Sequence, residues 1–171
     1  AAVKRNARLI YLTPGHQFPY GSILSIGRRL ELLEWARANN AFLFEDDYDS
    51  EFRFQAAPVE SLQSLDDSGR VIYASSFSKT MASWLRVGYM VLPDELISSF
   101  VAGRWLAGWS NPLLEQIALA LFIEEGFFAR HLRRCRTHYG RRRSILINAL
   151  QTQLGDAVSI EGSNSGLHLF L

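Results

Sequence analysis

The stretch "YASSFSKTMASWLRVGY" at residues 73–89 sets the hydroxyls of Ser76 and Ser78 beside the amine of Lys79, with Arg86 seven positions on. A positioned lysine amine can attack a carbonyl to form a Schiff base, while hydroxyls and a guanidinium suit a phosphate group. Taken alone, Lys79 reads equally as a solvated lysine in a polar loop, and Arg86 as a partner for surface carboxylates. Upstream, "EDDYDSE" at 45–51 gathers the acids Glu45, Asp46, Asp47 and Asp49 around Tyr48. By itself this is a solvated loop or a helix cap. It lacks the glycine and the terminal bidentate glutamate of an EF-hand loop, so no metal-ligand set is expected.

The elements around these residues decide where they stand. "RLIYL" at 8–12 reads as a buried strand, and "TPGHQFPYG" as an ordered loop rich in proline and glycine. "SIGRRLELLEWARANN" follows as a crossover helix, with Ile26, Leu30, Leu33 and Trp35 predicted on its apolar face and Arg and Glu opposite. "AFLFEDDYD" is an apolar run ending in acids, and "GRVIYASSFSKT" repeats the arrangement with a strand from about Val71 to Ala74. "RVGYMVLP" gives a further strand. Strands alternating with helices predict an α/β fold with a mainly parallel sheet. The second half is helical by period, with breaks at Gly126 and Gly155, and "AVSIEG" and "GLHLFL" are expected as strands of a different sheet. The predicted division sets residues 1–127 in a large α/β unit and 128–171 in a linking helix with the start of a small α+β unit.

Both polar clusters therefore fall at the carboxyl edge of one sheet, where open α/β sheets bind ligands. Together they match the needs of pyridoxal phosphate: an amine for its aldehyde, a carboxylate for its pyridine nitrogen, a donor for its phenolic oxygen, and hydroxyls with a cation for its phosphate. Lys79 would supply the amine, Asp46 the carboxylate and Tyr48 the donor. Ser76, Ser78 and Arg86 would hold the phosphate.

Bulk properties exclude several other classes. Eighteen basic against seventeen acidic residues give a formal charge of +1, so no global field favours nucleic acid or an anionic membrane. The single Cys135 excludes an internal disulfide and fits a reducing compartment, which makes the cytoplasm the expected location. The longest apolar stretch, "LLEQIALALFIEEG", is too short and too interrupted to span a membrane, so no membrane association is expected. The basic run "RHLRRCRTHYGRRR" could contact nucleic acid, but Leu132, Tyr139 and Ile145 interleave as a packing stripe. Cys135 reads as a small buried hydrophobe, and Trp84, Trp105 and Trp109 as core or dimer-interface residues. A start without methionine and an end inside "GLHLFL" predict an incomplete fragment of a longer protein.

"HQFPYG", "EDDYDSEFRF", "SSFSKTMASWLRVGYMVLP" and "IALALFIEEGFFARHLRRCRTHYGRRRSIL" resemble the aminotransferase-like domain of MocR-type regulators, a branch of the GntR family of bacterial transcription factors. The resemblance implies a fold-type-I, pyridoxal-phosphate-dependent transferase fold, usually dimeric, joined to an N-terminal winged helix that binds DNA. It implies that Lys79 forms the Schiff base, that Asp46 pairs with the pyridine nitrogen, that Tyr48 meets the ring oxygen, and that Ser76, Ser78 and Arg86 hold phosphate. Phe18 stands where ordinary aminotransferases carry an asparagine, which favours the regulator branch; His16 and Gln17 are conceivable cofactor or effector contacts, with turn stabilisation as the alternative. Tyr20 departs from the small residue usual before that glycine. The expected partners are an amino-compound effector or substrate, a second copy in the full-length protein, and DNA only through a domain outside this chain. Three readings follow: an effector sensor, a fragment of a free-standing aminotransferase, and a dimerisation domain without cofactor. By itself the chain is expected neither to complete a transamination cycle nor to bind an operator.

Overall fold

The computed structural model describes residues 7–54, 59–108, 113–162 and 165–171. A four-stranded sheet of order β1-β2-β3-β4 carries the site. Its strands are β1 (Leu9–Leu12), β2 (Phe42–Asp47), β3 (Val71–Ser76) and β4 (Gly88–Val91). The first three run parallel, with Leu12 opposite Glu45 and Asp46 opposite Ala74, and β4 closes the edge antiparallel to β3, with Ser76 opposite Gly88. The parallel crossovers run through α1 (Ile26–Ala38) and the one-turn α2 (Leu62–Leu65). Beyond β4 come α3 (Asp94–Ala107), α4 (Leu113–Glu124) and the long α5 (Phe127–Leu154).

Side chains alternate across a strand, so each strand divides between two faces. Ile10, Leu12, Leu43 and Val71 turn toward the crossover helices and pack with Leu33, Ala36 and Leu62 as the core. Tyr11, Phe44 and Asp46 belong to the opposite face, with the Tyr11 and Phe44 rings stacked at 5.8 Å between centroids. The helix starts follow local chemistry. Ser25 caps α1 through its hydroxyl to the Arg28 amide, and Ser61 caps α2 through the Ser64 amide.

Three expectations need correction. The inward face of α1 is Arg29, Leu33 and Ala36, while Ile26 and Leu30 are exposed. Burial of an arginine there is possible because backbone carbonyls and a carboxylate receive its donors. The terminal "AVSIEG" and "GLHLFL" do not form strands; among the described residues they meet only in an isolated antiparallel bridge between Glu161 and Phe170. Strand formation needs a continuous partner ladder, and one bridge does not supply it. On α5 the inward stripe runs through His131, Cys135, Tyr139 and Arg143, and Ile145 points to solvent. Trp84 and Trp105 are exposed rather than in the core, and Trp109 lies outside the described residues.

Candidate functional site

The two central acids of β2 go to opposite faces, and that separates their roles. Asp47 faces the helices, where it accepts the Ser50 hydroxyl at 2.6 Å, the Ser50 amide at 3.2 Å and the Tyr73 hydroxyl at 2.8 Å. Burial, then the Asp47 charge, push the Tyr73 phenol up. Asp46 lies on the open face, where Oδ2 accepts the Tyr11 hydroxyl at 2.5 Å. That bond, with burial and the carboxylate charge behind it, pushes the Tyr11 phenol up to about 12. Asp46 is thus a half-buried acceptor at the strand's carboxyl end, held by a neighbouring tyrosine.

Lys79 lies three residues past β3, in a turn closed by the Met81 amide on the Phe77 carbonyl at 2.8 Å. The turn is anchored from behind. Thr80 is buried, His131 Nε2 of α5 donates to its carbonyl at 2.9 Å, and Phe77 meets Phe128 edge to face at 5.8 Å. Lys79 itself projects to solvent, as does Arg86, and neither has a hydrogen-bond or ion-pair partner among the described residues. Arg86 adopts a left-handed backbone, φ 52°, at the end of the one-turn helix Ser83–Leu85. An arginine pays a conformational cost there. Ser76 ends β3 opposite Gly88, and Ser78 is half-buried beside Lys79.

Tyr48 and the 13–25 loop form a second, denser group. The Tyr48 hydroxyl donates to the His16 carbonyl at 2.7 Å, and burial, then the Asp49 and Asp46 charges, push its phenol up. His16 is buried, with Nδ1 at 3.0 and 3.2 Å from the two Asp49 oxygens. A carboxylate accepts only, so Nδ1 carries the hydrogen. The second Asp49 contact is the Leu167 amide at 3.0 Å, and the His168 ring lies over His16 at 4.1 Å between centroids. Gly166, at φ 73°, passes so close that a Cβ there would stand 1.9 Å from the His16 ring. His16, Asp49 and His168 are a metal-like trio, with one ligand atom of each within 4.8 Å of the others. Yet His16 Nδ1 is engaged by Asp49, and its Nε2 faces Gly21, where a Cβ would lie only 3.0 Å away. Within the trio only His16 and Asp49 are hydrogen-bonded; His168 meets His16 by its ring, and Nε2 of each histidine is buried without a hydrogen-bond partner among the described residues. Gln17 turns its amide to the adjacent Phe18 carbonyl at 2.8 Å.

Sequence reasoning missed the residues that hold this edge together. Buried Arg29 donates Nη2 to the Pro14 carbonyl at 2.7 Å and Nε to the Leu24 carbonyl at 3.0 Å, and its Nη1 lies 3.6 Å from Glu45. Glu45 in turn receives the Leu62 and Gln63 amides, both at 3.0 Å, capping α2. Burial lowers the guanidinium's affinity for its proton and raises that of the carboxylate, each shift opposed by the partner's charge. The available signal was the spacing of Arg29, Leu33 and Ala36 on one helical stripe. In the basic run, Arg136 and Arg143 donate to backbone carbonyls of Glu51 and Gly162, so they serve packing, while Arg133, Arg134, Arg141 and Arg142 are exposed.

The chain matches the family "Aminotransferase class I and II" over residues 3–171. It belongs to that family. This aminotransferase-family chain is 45% identical over 168 residues to the uncharacterized HTH-type transcriptional regulator YhdI of Bacillus subtilis, covering 98% of this chain and 36% of that protein. It is 42% identical over 162 residues to the probable rhizopine catabolism regulatory protein MocR of Rhizobium meliloti, covering 95% and 33% respectively. The chain therefore spans about a third of the length of these relatives. Among solved structures it is similar to LysN, the alpha-aminoadipate aminotransferase of Thermus thermophilus complexed with N-(5'-phosphopyridoxyl)-L-leucine. The TM-score is 0.87 at 29% identity, over 96% of this chain and 43% of that one. The fold is that of the fold-type-I aminotransferases. Among the described residues, no helix is long and apolar enough to cross a membrane.

The donor set fits the cofactor bound in that neighbour. One sheet edge offers an amine and a guanidinium with no partner among the described residues, together with hydroxyls and a carboxylate on the open face. Among the described residues, no ion pair holds Lys79 or Arg86.

Proposed function

We propose that this chain is the pyridoxal-phosphate-binding, ligand-sensing part of a bacterial transcriptional regulator of the MocR type. The observation that carries the reading is that Asp46 lies at the end of β2 and Lys79 follows the end of β3, so that adjacent parallel strands deliver both to one carboxyl edge, in a chain whose relatives include named transcriptional regulators. Lys79 would bond to the cofactor's aldehyde, Asp46 would hold the proton on its ring nitrogen, and Tyr48 would face its ring oxygen. Ser76, Ser78 and Arg86 would bind its phosphate, with arginine suited by its fork of donors. Bound there, the cofactor supplies an electrophilic carbon and an electron-withdrawing ring toward an amino compound. Gln17 would act on the loop, where its amide is held by the adjacent Phe18 carbonyl, and His16 would be positioned by Asp49 through Nδ1. DNA would be read by another part of the whole protein, and a second copy would complete the ligand site. The large unit at 1–127 and the linking unit from 128 would then be the parts that move against each other.

Within this chain Lys79 has a single competing amine side chain, that of Lys4. The whole natural protein is mixed with pyridoxal phosphate, reduced with borohydride and mapped by mass spectrometry. The expected result is a phosphopyridoxyl group on Lys79, with the visible absorbance band absent in Lys79→Ala. A label on another lysine, or an unchanged band in the variant, overturns the reading.

A further inference from the structure

Tyr48 has a single O–H donor, and here it is held by the His16 carbonyl at 2.7 Å rather than left free for a ligand. The same His16 is fixed by Asp49 through Nδ1, and Asp49 also receives the Leu167 amide at 3.0 Å. The C-terminal segment is then pressed onto the His16 ring, by the close approach of Gly166 on one side and the His168 ring at 4.1 Å on another. A second bond ties the segment to the end of the acidic loop, the Gly166 amide to the Phe52 carbonyl at 2.7 Å. One connected set of contacts thus runs from Tyr48 through His16 and Asp49 to residues 165–168. Nothing in the sequence brings these positions together; Leu167 and Asp49 are 118 residues apart.

We propose that His16 and Asp49 are positioning residues forming a latch, which couples the occupancy of the Tyr48 hydroxyl to the docking of the 165–168 segment. The inference rests on the reading that Tyr48 faces a cofactor oxygen. A ligand oxygen that takes the Tyr48 donor removes it from the His16 carbonyl, so the loop carrying His16 loses one of its ties. The hold on Leu167 loosens with it. The coupling is reciprocal: a segment that is already free leaves Tyr48 easier to recruit, and ligand binding tightens accordingly. A residue that merely fills space would break the docking without linking it to the ligand.

The test is hydrogen–deuterium exchange of the peptide covering 165–171 in the whole natural protein, with and without pyridoxal phosphate. Cofactor binding is followed in parallel by absorbance. The expected result is exchange at Leu167 about fivefold faster with cofactor present, the size of one net hydrogen bond. In Tyr48→Phe, at a cofactor concentration raised until the absorbance band is restored, that exchange no longer depends on the cofactor. Asp49→Asn gives fast exchange in both states and tighter cofactor binding. Unchanged exchange at 165–171 while the absorbance band forms overturns the latch and leaves the cofactor reading standing. A cofactor-dependent change that persists in Tyr48→Phe also overturns it. Absence of the band in the wild-type protein overturns both.

Discussion

Replacing Arg29 by methionine tests the centre of the architecture that holds the site's loop. The guanidinium and the Glu45 carboxylate are both buried, at 1% and 2% side-chain exposure, and lie 3.6 Å apart. Methionine fills much of the same volume but leaves Glu45 without its cation, and removes the donors to the Pro14 and Leu24 carbonyls. Breaking a buried pair from one side costs about 3–5 kcal/mol, which is a large part of the roughly 5–15 kcal/mol that holds a domain together. Removing both charges is less costly than removing one, because no uncompensated ion stays buried. The double variant Arg29→Met, Glu45→Gln is therefore expected to be more stable than the sum of the single losses by about 2 kcal/mol. Arg29→Lys should recover only part of the loss, since an ammonium cannot fork across two carbonyls and a carboxylate. Urea unfolding followed by tryptophan fluorescence gives these values, with limited proteolysis reporting the 13–25 loop. A loss below about 1 kcal/mol for Arg29→Met, or simple additivity in the double variant, would refute the pairing as the organising contact.

Two further outcomes follow from the carboxylates. Burial works against ionised Asp66, but bonds from Ser68, Arg70 and Val71 outweigh it and hold its pKa below the usual range. A depressed carboxylate stabilises the fold fully above its unfolded pKa, about 3.9, and that contribution fades as pH falls through the lower folded value. Asp66→Asn should cost about 1–3 kcal/mol at neutral pH and flatten the acid limb of a stability profile measured by denaturant midpoint. Asp46→Asn should bring the Tyr11 phenol down from about 12 toward its ordinary value, read as a phenolate absorbance change that Tyr11→Phe removes. An unmoved titration in Asp46→Asn would mean that the Tyr11 bond is not what raises it.

The four strands of the sheet, and the position of Asp46 and Lys79 at the ends of adjacent ones, were legible because short apolar runs that end in polar residues mark strand ends. Their separation from Asp47 was legible too, since alternation alone puts the two acids on opposite faces. Arg29 was misread because hydropathy outweighed spacing: the stripe through Arg29, Leu33 and Ala36 was present in the sequence, and the charge argued against it. A buried arginine needs carbonyls supplied by a loop and a glutamate supplied by another strand, and neither is local. The C-terminal runs misled in the other direction, because alternation gives a strand only where a partner ladder exists. The contacts of His16, Asp49 and Leu167 lay beyond sequence reading altogether, because they join segments 33 and 118 residues apart.

Two independent contacts bind the site's edge to the last third of the chain: His131 on the Thr80 carbonyl, next to Lys79, and Leu167 on Asp49, next to Tyr48. The groups proposed for the ligand are held differently: Lys79 and Arg86 are exposed and have no partner among the described residues, while Asp46 and Tyr48 are engaged by protein partners. A ligand bound as proposed would gain contacts from Lys79 and Arg86 in any arrangement, and from Tyr48 only when an internal bond yields. That difference is what a sensor requires, since a ligand shifts an equilibrium only by its unequal affinity for the two states. Lys79 and Arg86 would supply affinity without preference; Tyr48, through His16 and Asp49, would supply the preference.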